Sequence, residues 1–140
     1  MIEIHPTRDI ETCRLLRRKV FIEEQGVSEE DELDDLDEVA THLLLTEDGA
    51  ALGSARLLRE GGIGKIGRVC VLRQARGRGF GALLIRAAIA EFAKDPALTT
   101  VKLGAQTHAL GFYQKLGFEA FGPEYLDAGI EHQDMKLGLK

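Results

Sequence analysis

The chain has no tryptophan, three prolines and two cysteines in 140 residues, and only 6% of it is aromatic. With Cys13 and Cys70 as the whole supply, a disulfide framework is excluded and a reducing, cytoplasmic setting is expected. Four histidines and two cysteines lie scattered without ligand spacing, so no zinc site and no other metal is expected. No apolar run approaches the ~20 residues that span a bilayer. The N-terminus is charged from its third residue and lacks the apolar core of a signal peptide. What is present is 44% hydrophobic and 29% charged, the balance of an ordinary globular domain. One domain over residues 1–140 is expected, large enough to bury a core without staples.

Positive charge is missing from one long stretch. Residues 20–55 contain no Lys or Arg but twelve Asp and Glu, and the remainder holds 18 basic against 11 acidic residues. Such a run is read either as a solvated face or as the part of the molecule that meets a cation while another part meets an anion. The pI near 5.4, with basic residues gathered at one loop, argues against a nucleic-acid partner.

Periodicity divides the chain. Residues 2–5 alternate as a short strand that Pro6 is expected to stop. Asp9 is placed to cap a helix over 9–25, with Ile10, Cys13, Leu16, Val20 and Phe21 on one face and Gly26 at its end. Residues 28–38 suit one short helical turn or an ordered acidic loop. The period then changes to two. Residues 42–46 and 50–58 flank Glu47-Asp48-Gly49 as a hairpin. A third strand over 63–72 carries Gly64 and Gly67, which suggest a bulge or a close backbone approach. Residues 80–94 are helical and apolar on nearly all sides, so that helix is expected to be buried. A strand over 99–105, a short helix over 107–116 and strands over 118–121 and 132–139 complete an α+β fold. It is one mixed, mostly antiparallel sheet flanked by helices.

The most informative segment is Val69-Cys70-Val71-Leu72-Arg73-Gln74-Ala75-Arg76-Gly77-Arg78-Gly79-Phe80-Gly81. A β-branched strand feeds a glycine-rich turn that opens a helix. Without Cβ atoms, backbone N–H groups can close around an anion at a helix N-terminus, and a phosphate or pyrophosphate suits that nest. A Walker A loop would need Lys-Ser/Thr where Ala82-Leu83 stand. A dinucleotide fingerprint, Gly77-x-Gly79-x-x-Ala82, would need an acid at the end of the next strand, and residues 101–106 offer none.

Arg76-Gly77-Arg78-Gly79-Phe80-Gly81 instead resembles the R/Q-x-x-G-x-G/A loop of the GNAT superfamily, the Gcn5-related N-acetyltransferases. Residues 106–118, with Phe112-Tyr113 and Gly117-Phe118 flanking a short helix, resemble the later family signature. Residues 18–27 and 124–132 are similar to the ElaA-like bacterial branch. The resemblance covers essentially the whole chain. It implies the GNAT fold and transfer of an acetyl group from acetyl-CoA to an amine of a small molecule or peptide. It also implies that backbone groups of Val69 and Val71, with Cys70 between them, pair with the pantetheine arm. Amides of Arg76, Gly77, Arg78, Gly79, Phe80 and Gly81 would hold the pyrophosphate, and Tyr113 would protonate the leaving thiolate.

Each residue has a plainer alternative. Tyr113 can be an aromatic packed beside Phe112, and Cys70 an inert core thiol rather than a nucleophile. His108 reads as an exposed helix residue. His132 can be an acceptor-site group or a structural one. Some family members carry a Glu base on the strand before the loop, where this chain has Lys65 and Arg68. Arg68 can orient groups or meet an acidic acceptor, but it cannot take a proton. The candidates for a base are therefore Glu23, Glu24 or His132 through water, or no dedicated base. A cationic acceptor would be drawn by Glu23, Glu24 and the run at 29–38. The reading from another class is a non-catalytic CoA-binding or protein-interaction module with an acidic partner surface. Neither reading calls for a membrane, and a homodimer is compatible with both.

Overall fold

Among the described residues, alternating and continuous apolar runs make seven strands, and all of them join one sheet. The computed structural model describes residues 1–139. Its elements are β1 (Ile2–Thr7), α1 (Ile10–Arg17), α2 (Glu29–Glu32), β2 (Thr41–Glu47), β3 (Ala50–Glu60), β4 (Ile63–Val71), α3 (Phe80–Ala93), β5 (Thr100–Gln106), α4 (Leu110–Lys115), β6 (Glu119–Asp127) and β7 (Ile130–Gly138). The strand order is β1-β2-β3-β4-β5-β7-β6. Only β4 and β5 run parallel, joined by the crossover through α3. Mixed layers of sheet and helix are thus the observed α+β fold.

The two faces of the sheet bury different helices. Leu84, Ile85, Ala88 and Phe92 of α3 pack with Leu43, Leu45, Leu57, Ile66, Val101 and Met135 of the strands. Cys13 and Leu16 of α1, together with Val20, pack with Leu44, Cys70 and Leu72 on the opposite side. Among the described residues no helix is long and apolar enough to cross a membrane.

Three elements depart from the sequence expectation. β1 continues through Pro6 to Thr7, with Pro6 opposite Leu43. An edge strand tolerates proline because the missing donor can sit on its solvent side. The helix expected over 9–25 is α-helical only to Arg17 and then π-helical over Arg18–Glu24, although Asp9 caps it by accepting from the Thr12 N–H at 3.1 Å. The acidic stretch keeps to expectation, with the single turn α2 capped by Ser28 and loop after it. β6 runs on to Asp127, with Gly122 at φ +73° and a register shift between Phe121 and Tyr125 that absorbs Pro123.

The two glycines of β4 play the two parts foreseen for them. A Cβ on Gly64 would lie 2.7 Å from the Phe92 ring, so glycine there permits the close approach of α3. Beyond Gly67 the register against β3 slips by one residue, and Arg68 takes φ +52°. That bulge turns the last third of β4. Parallel pairing with β5 ends at Ile66 opposite Leu103, although β4 continues to Val71 and β5 to Gln106. The two strands part there, and a V-shaped opening forms in the middle of the sheet.

Candidate functional site

The glycine-rich turn lies at one end of that opening. Gly77 has φ +83° and Gly79 φ +80°, left-handed conformations that favour glycine, and the space above both Cα atoms is empty. Gly79 precedes α3 with no side chain capping it. Leu83 N–H is bonded to the Gly79 carbonyl at 3.1 Å, so the N–H groups of Phe80, Gly81 and Ala82 lie outside the helical ladder. Three unengaged donors at the positive end of a 14-residue helix form a cradle suited to a phosphate.

The arginines of the turn do not line the cradle as free charges. Arg76 bonds the Val71 carbonyl through Nε at 3.0 Å and holds Glu24 with both Nη atoms, one of them at 2.7 Å. Arg78 grips Glu47 at 2.8 and 2.7 Å and lies over the Phe80 ring at 4.6 Å. The Arg76 partnership holds the Glu24 carboxyl below its usual range. The backbone, rather than these side chains, offers the open donors.

The opening between β4 and β5 leads into a cleft of about 390 Å³. Phe21 and Gln25 reach it from the π-helical turn, Arg68 and Val69 from β4, Tyr113 from α4, and Tyr125 and His132 from the last hairpin. Tyr113 stands edge-on to Phe112 and Phe118, at 5.0 and 6.1 Å between centroids. Burial raises its pKa, so the phenol keeps its proton. Val69 borders the cleft, but Cys70 points into the second core cluster, where its thiol lies 3.5 Å from the Ser54 hydroxyl. Burial pushes that thiol up, which makes it a poor nucleophile.

The far end of the cleft is built by residues that periodicity did not single out. Tyr125 donates to Asp134 at 2.7 Å, and its ring stacks on His132 at 5.9 Å and 21°. Both burial and Asp134 raise the Tyr125 pKa. A Cβ on Gly104 would come within 2.5 Å of the Tyr125 hydroxyl, so glycine at this point of β5 makes room for the phenol. Gln25 and Gln106 border the cleft, with Gln106 donating to Gln25 at 3.1 Å, and His108, which does not line it, bonds Gln106 at 2.8 Å. His108 is exposed, as expected. The signal for this end was the strand partnership of residues 106 and 132, which no local pattern reveals.

Four of the eight carboxylates of residues 28–38, those of Glu29, Glu32, Asp34 and Asp37, pair with arginines. Asp37, with its side chain 1% exposed, holds Arg17 at 2.8 Å, Arg14 at 2.9 Å and Arg56 at 3.1 Å. Burial would raise its pKa, but the three guanidinium groups outweigh that and hold it well below the usual carboxylate range. Glu32, equally buried, takes Arg17 and Arg68, and Asp34 takes Arg56 and Arg68. Arg68 therefore borders the cleft with its guanidinium spent on the Glu32 carboxylate and carbonyl, both at 2.9 Å. It is a brace and not a free site for an acidic acceptor. Glu23 and Glu24, expected at the acceptor site, do not border the cleft. Glu23 is exposed 3.9 Å from Arg18, and Glu24 faces the turn. No group of three or more metal-ligating side chains occurs among the described residues.

Comparison with known proteins agrees with this geometry. Residues 12–139 match the family model described as "Acetyltransferase (GNAT) domain". The uncharacterized protein YyaT of Bacillus subtilis (strain 168) is 39% identical over 127 residues, covering 89% of this chain and 85% of the relative. The crystal structure of an acyl-CoA N-acyltransferase from Pseudomonas aeruginosa is 31% identical with a TM-score of 0.89, covering 98% of this chain and 99% of that one. The crystal structure of Escherichia coli ElaA is 27% identical with a TM-score of 0.86 over the same shares.

Proposed function

The chain belongs to the GNAT acetyltransferase family, and we propose that it transfers an acetyl group from acetyl-CoA directly to an amine. The observation that carries this reading is the parting of β4 from β5 between the open glycine cradle and Tyr113. Residues 1–140 act as one transferase domain, in the cytoplasm.

In this reading the amides at Arg76, Gly77, Arg78, Gly79, Phe80 and Gly81 hold the pyrophosphate. Backbone groups of Val69 and Val71, with Cys70 between them on an edge unpaired with β5, hold the pantetheine arm as an added strand would be held. Acetyl-CoA supplies the thioester. Tyr113, kept protonated by burial, donates its proton to the departing sulfur. The chain's main contribution is to hold thioester and amine in line, with backbone donors of β4 polarising the carbonyl. The amine enters from the end of the cleft bordered by Arg68, Tyr125 and His132.

A non-catalytic module would need the acidic stretch as a partner surface. Pairing with arginines takes Glu32, Asp34 and Asp37 out of that surface, and the acyl-transfer reading is preferred. The test is release of free CoA with a panel of amines, beside calorimetric titration of CoA. Tyr113→Phe keeps the ring and removes the acid, so turnover should fall ~10²–10⁴-fold with acetyl-CoA affinity nearly unchanged. A loss under about tenfold would assign the phenol to packing.

A further inference from the structure

We propose that His132 is the base that takes the proton from the acceptor amine, and that Ile130 and Tyr125 hold its ring for that task. The inference rests on the acyl-transfer reading above and names a residue for a step that reading leaves without one.

An amine attacks as the neutral species, so a proton acceptor must stand at its end of the cleft. Elimination leaves few groups. Lys65, near the strand position where a base would be sought, is paired with Glu60 at 2.7 Å. Arg68 has no lone pair to offer. The Glu32 carboxylate is buried between two guanidinium groups, Arg17 and Arg68, each at 2.9 Å from Oε2. Tyr113 and Tyr125 are both pushed towards keeping their protons. Asp31 and Asp127 border the cleft from exposed positions, with no hydrogen bond or ion pair among the described residues orienting either carboxylate. One imidazole borders the cleft, and imidazole is the side chain whose ordinary range spans neutral pH.

The geometry also selects the tautomer. His132 Nδ1 lies 2.7 Å from the Ile130 carbonyl oxygen. A carbonyl only accepts, so Nδ1 carries the hydrogen and Nε2 carries the lone pair. The ring is flattened against Tyr125, which is in turn tied to Asp134 at 2.7 Å in the space left by Gly104. This is the arrangement of a base whose second nitrogen is oriented by a fixed acceptor. The titratable or charged groups that share the cleft with the ring are Asp31 and Glu32 from the α2 region, Arg68 from β4, Tyr113 from α4, and Tyr125 and Asp127 from β6. β5 and the π-helical turn contribute only the neutral Gln106 and Gln25.

The step balances. One proton passes from the acceptor ammonium to Nε2 and then to solvent. The nitrogen lone pair forms the N–C bond, and the C–S electrons depart with the sulfur. Tyr113 protonates that sulfur, and the second proton lost by nitrogen on amide formation restores the phenol.

His132→Asn keeps an N–H that can serve the Ile130 carbonyl and removes the base. With an amine that the wild type acetylates, kcat/KM of the variant should fall ~10²–10⁴-fold near neutral pH. The shape of the pH profile should change as well. The wild type should reach a plateau once the imidazole is neutral, whereas the variant should climb tenfold per pH unit up to the pKa of the amine itself. CoA affinity by calorimetry should be unchanged. A second measurement needs no acceptor: nitrogen-15 NMR of the imidazole should find the Nδ1–H tautomer. An Nε2–H tautomer, or a variant with the wild-type profile and less than threefold loss, would overturn the assignment while leaving acyl transfer intact. Absence of CoA release with every amine would end the acyl-transfer reading and the base with it.

Discussion

The glycine turn at 76–81 and the acidic stretch at 28–38 are the two most conspicuous runs in the chain, and they work in opposite ways. The turn has little side-chain density and leaves its backbone donors open to solvent. The stretch is dense in charge, yet Glu32, Asp34 and Asp37 spend theirs on Arg14, Arg17, Arg56 and Arg68 inside the molecule. A run of like charge reports composition and says nothing about its partners. A run of glycines at a strand-to-helix junction reports backbone geometry, which is local. That asymmetry makes the first the proposed site and the second a brace.

The largest effect should come from breaking the brace. Asp37→Asn leaves Arg17 and Arg56 buried around a neutral amide, and removing one partner of such a cluster costs about 3–5 kcal/mol. Urea unfolding should show the loss at neutral pH. Acid dependence sharpens the point. Because the folded-state pKa of Asp37 lies below its ordinary value, the unfolded chain binds more protons as pH falls. Stability is therefore fully present above the ordinary carboxylate range and is lost progressively below about pH 4. The variant should have a flatter acid limb than the wild type. Equal slopes would mean that the brace contributes little.

Next comes the cradle. Gly79→Asp places a carboxylate where backbone donors should meet phosphate, and CoA affinity by calorimetry should drop by about 100-fold, or some 2.7 kcal/mol. Gly79→Asn imposes a similar left-handed backbone cost, on the order of 1 kcal/mol, without the charge, and should lose far less affinity. If both variants bind CoA as the wild type does, the phosphate-cradle reading fails.

The contrast also explains what could be read beforehand. The central hairpin, the buried helix α3 and the glycine turn announce themselves within ten or fifteen consecutive residues, and the family signatures run with them. Pro6 misled because edge position is a property of the whole sheet, invisible at the proline itself. The π-helical turn at Arg18–Glu24 was hidden for a related reason. Its apolar spacing at Val20 and Phe21 suits an α-helix equally well. The ion pairs join residues as far apart as Glu32 and Arg68, and no window along the chain contains both. Tyr125 and Gly104 are likewise legible only together, since one fills the space that the other vacates.

The smallest expected effect lies where the two regions touch. Glu24, at the end of the π-helical turn, holds Arg76, and Arg76 also bonds the Val71 carbonyl on the edge of β4. Replacing it by Gln removes the charge that would compete with a bound phosphate for this guanidinium. CoA affinity should rise roughly twofold to fivefold at low salt, the scale of an exposed ion pair. The gain should shrink as salt shortens the Debye length to ~8 Å at physiological ionic strength and further above it. The KM for a cationic amine should not move, because Glu24 does not border the proposed acceptor cleft. A selective, salt-sensitive rise in that KM would restore Glu24 to the acceptor site and erase the distinction between cradle and brace. A fall in CoA affinity would have another meaning: the Glu24–Arg76 pair holds the turn in shape, and the brace extends into the cradle.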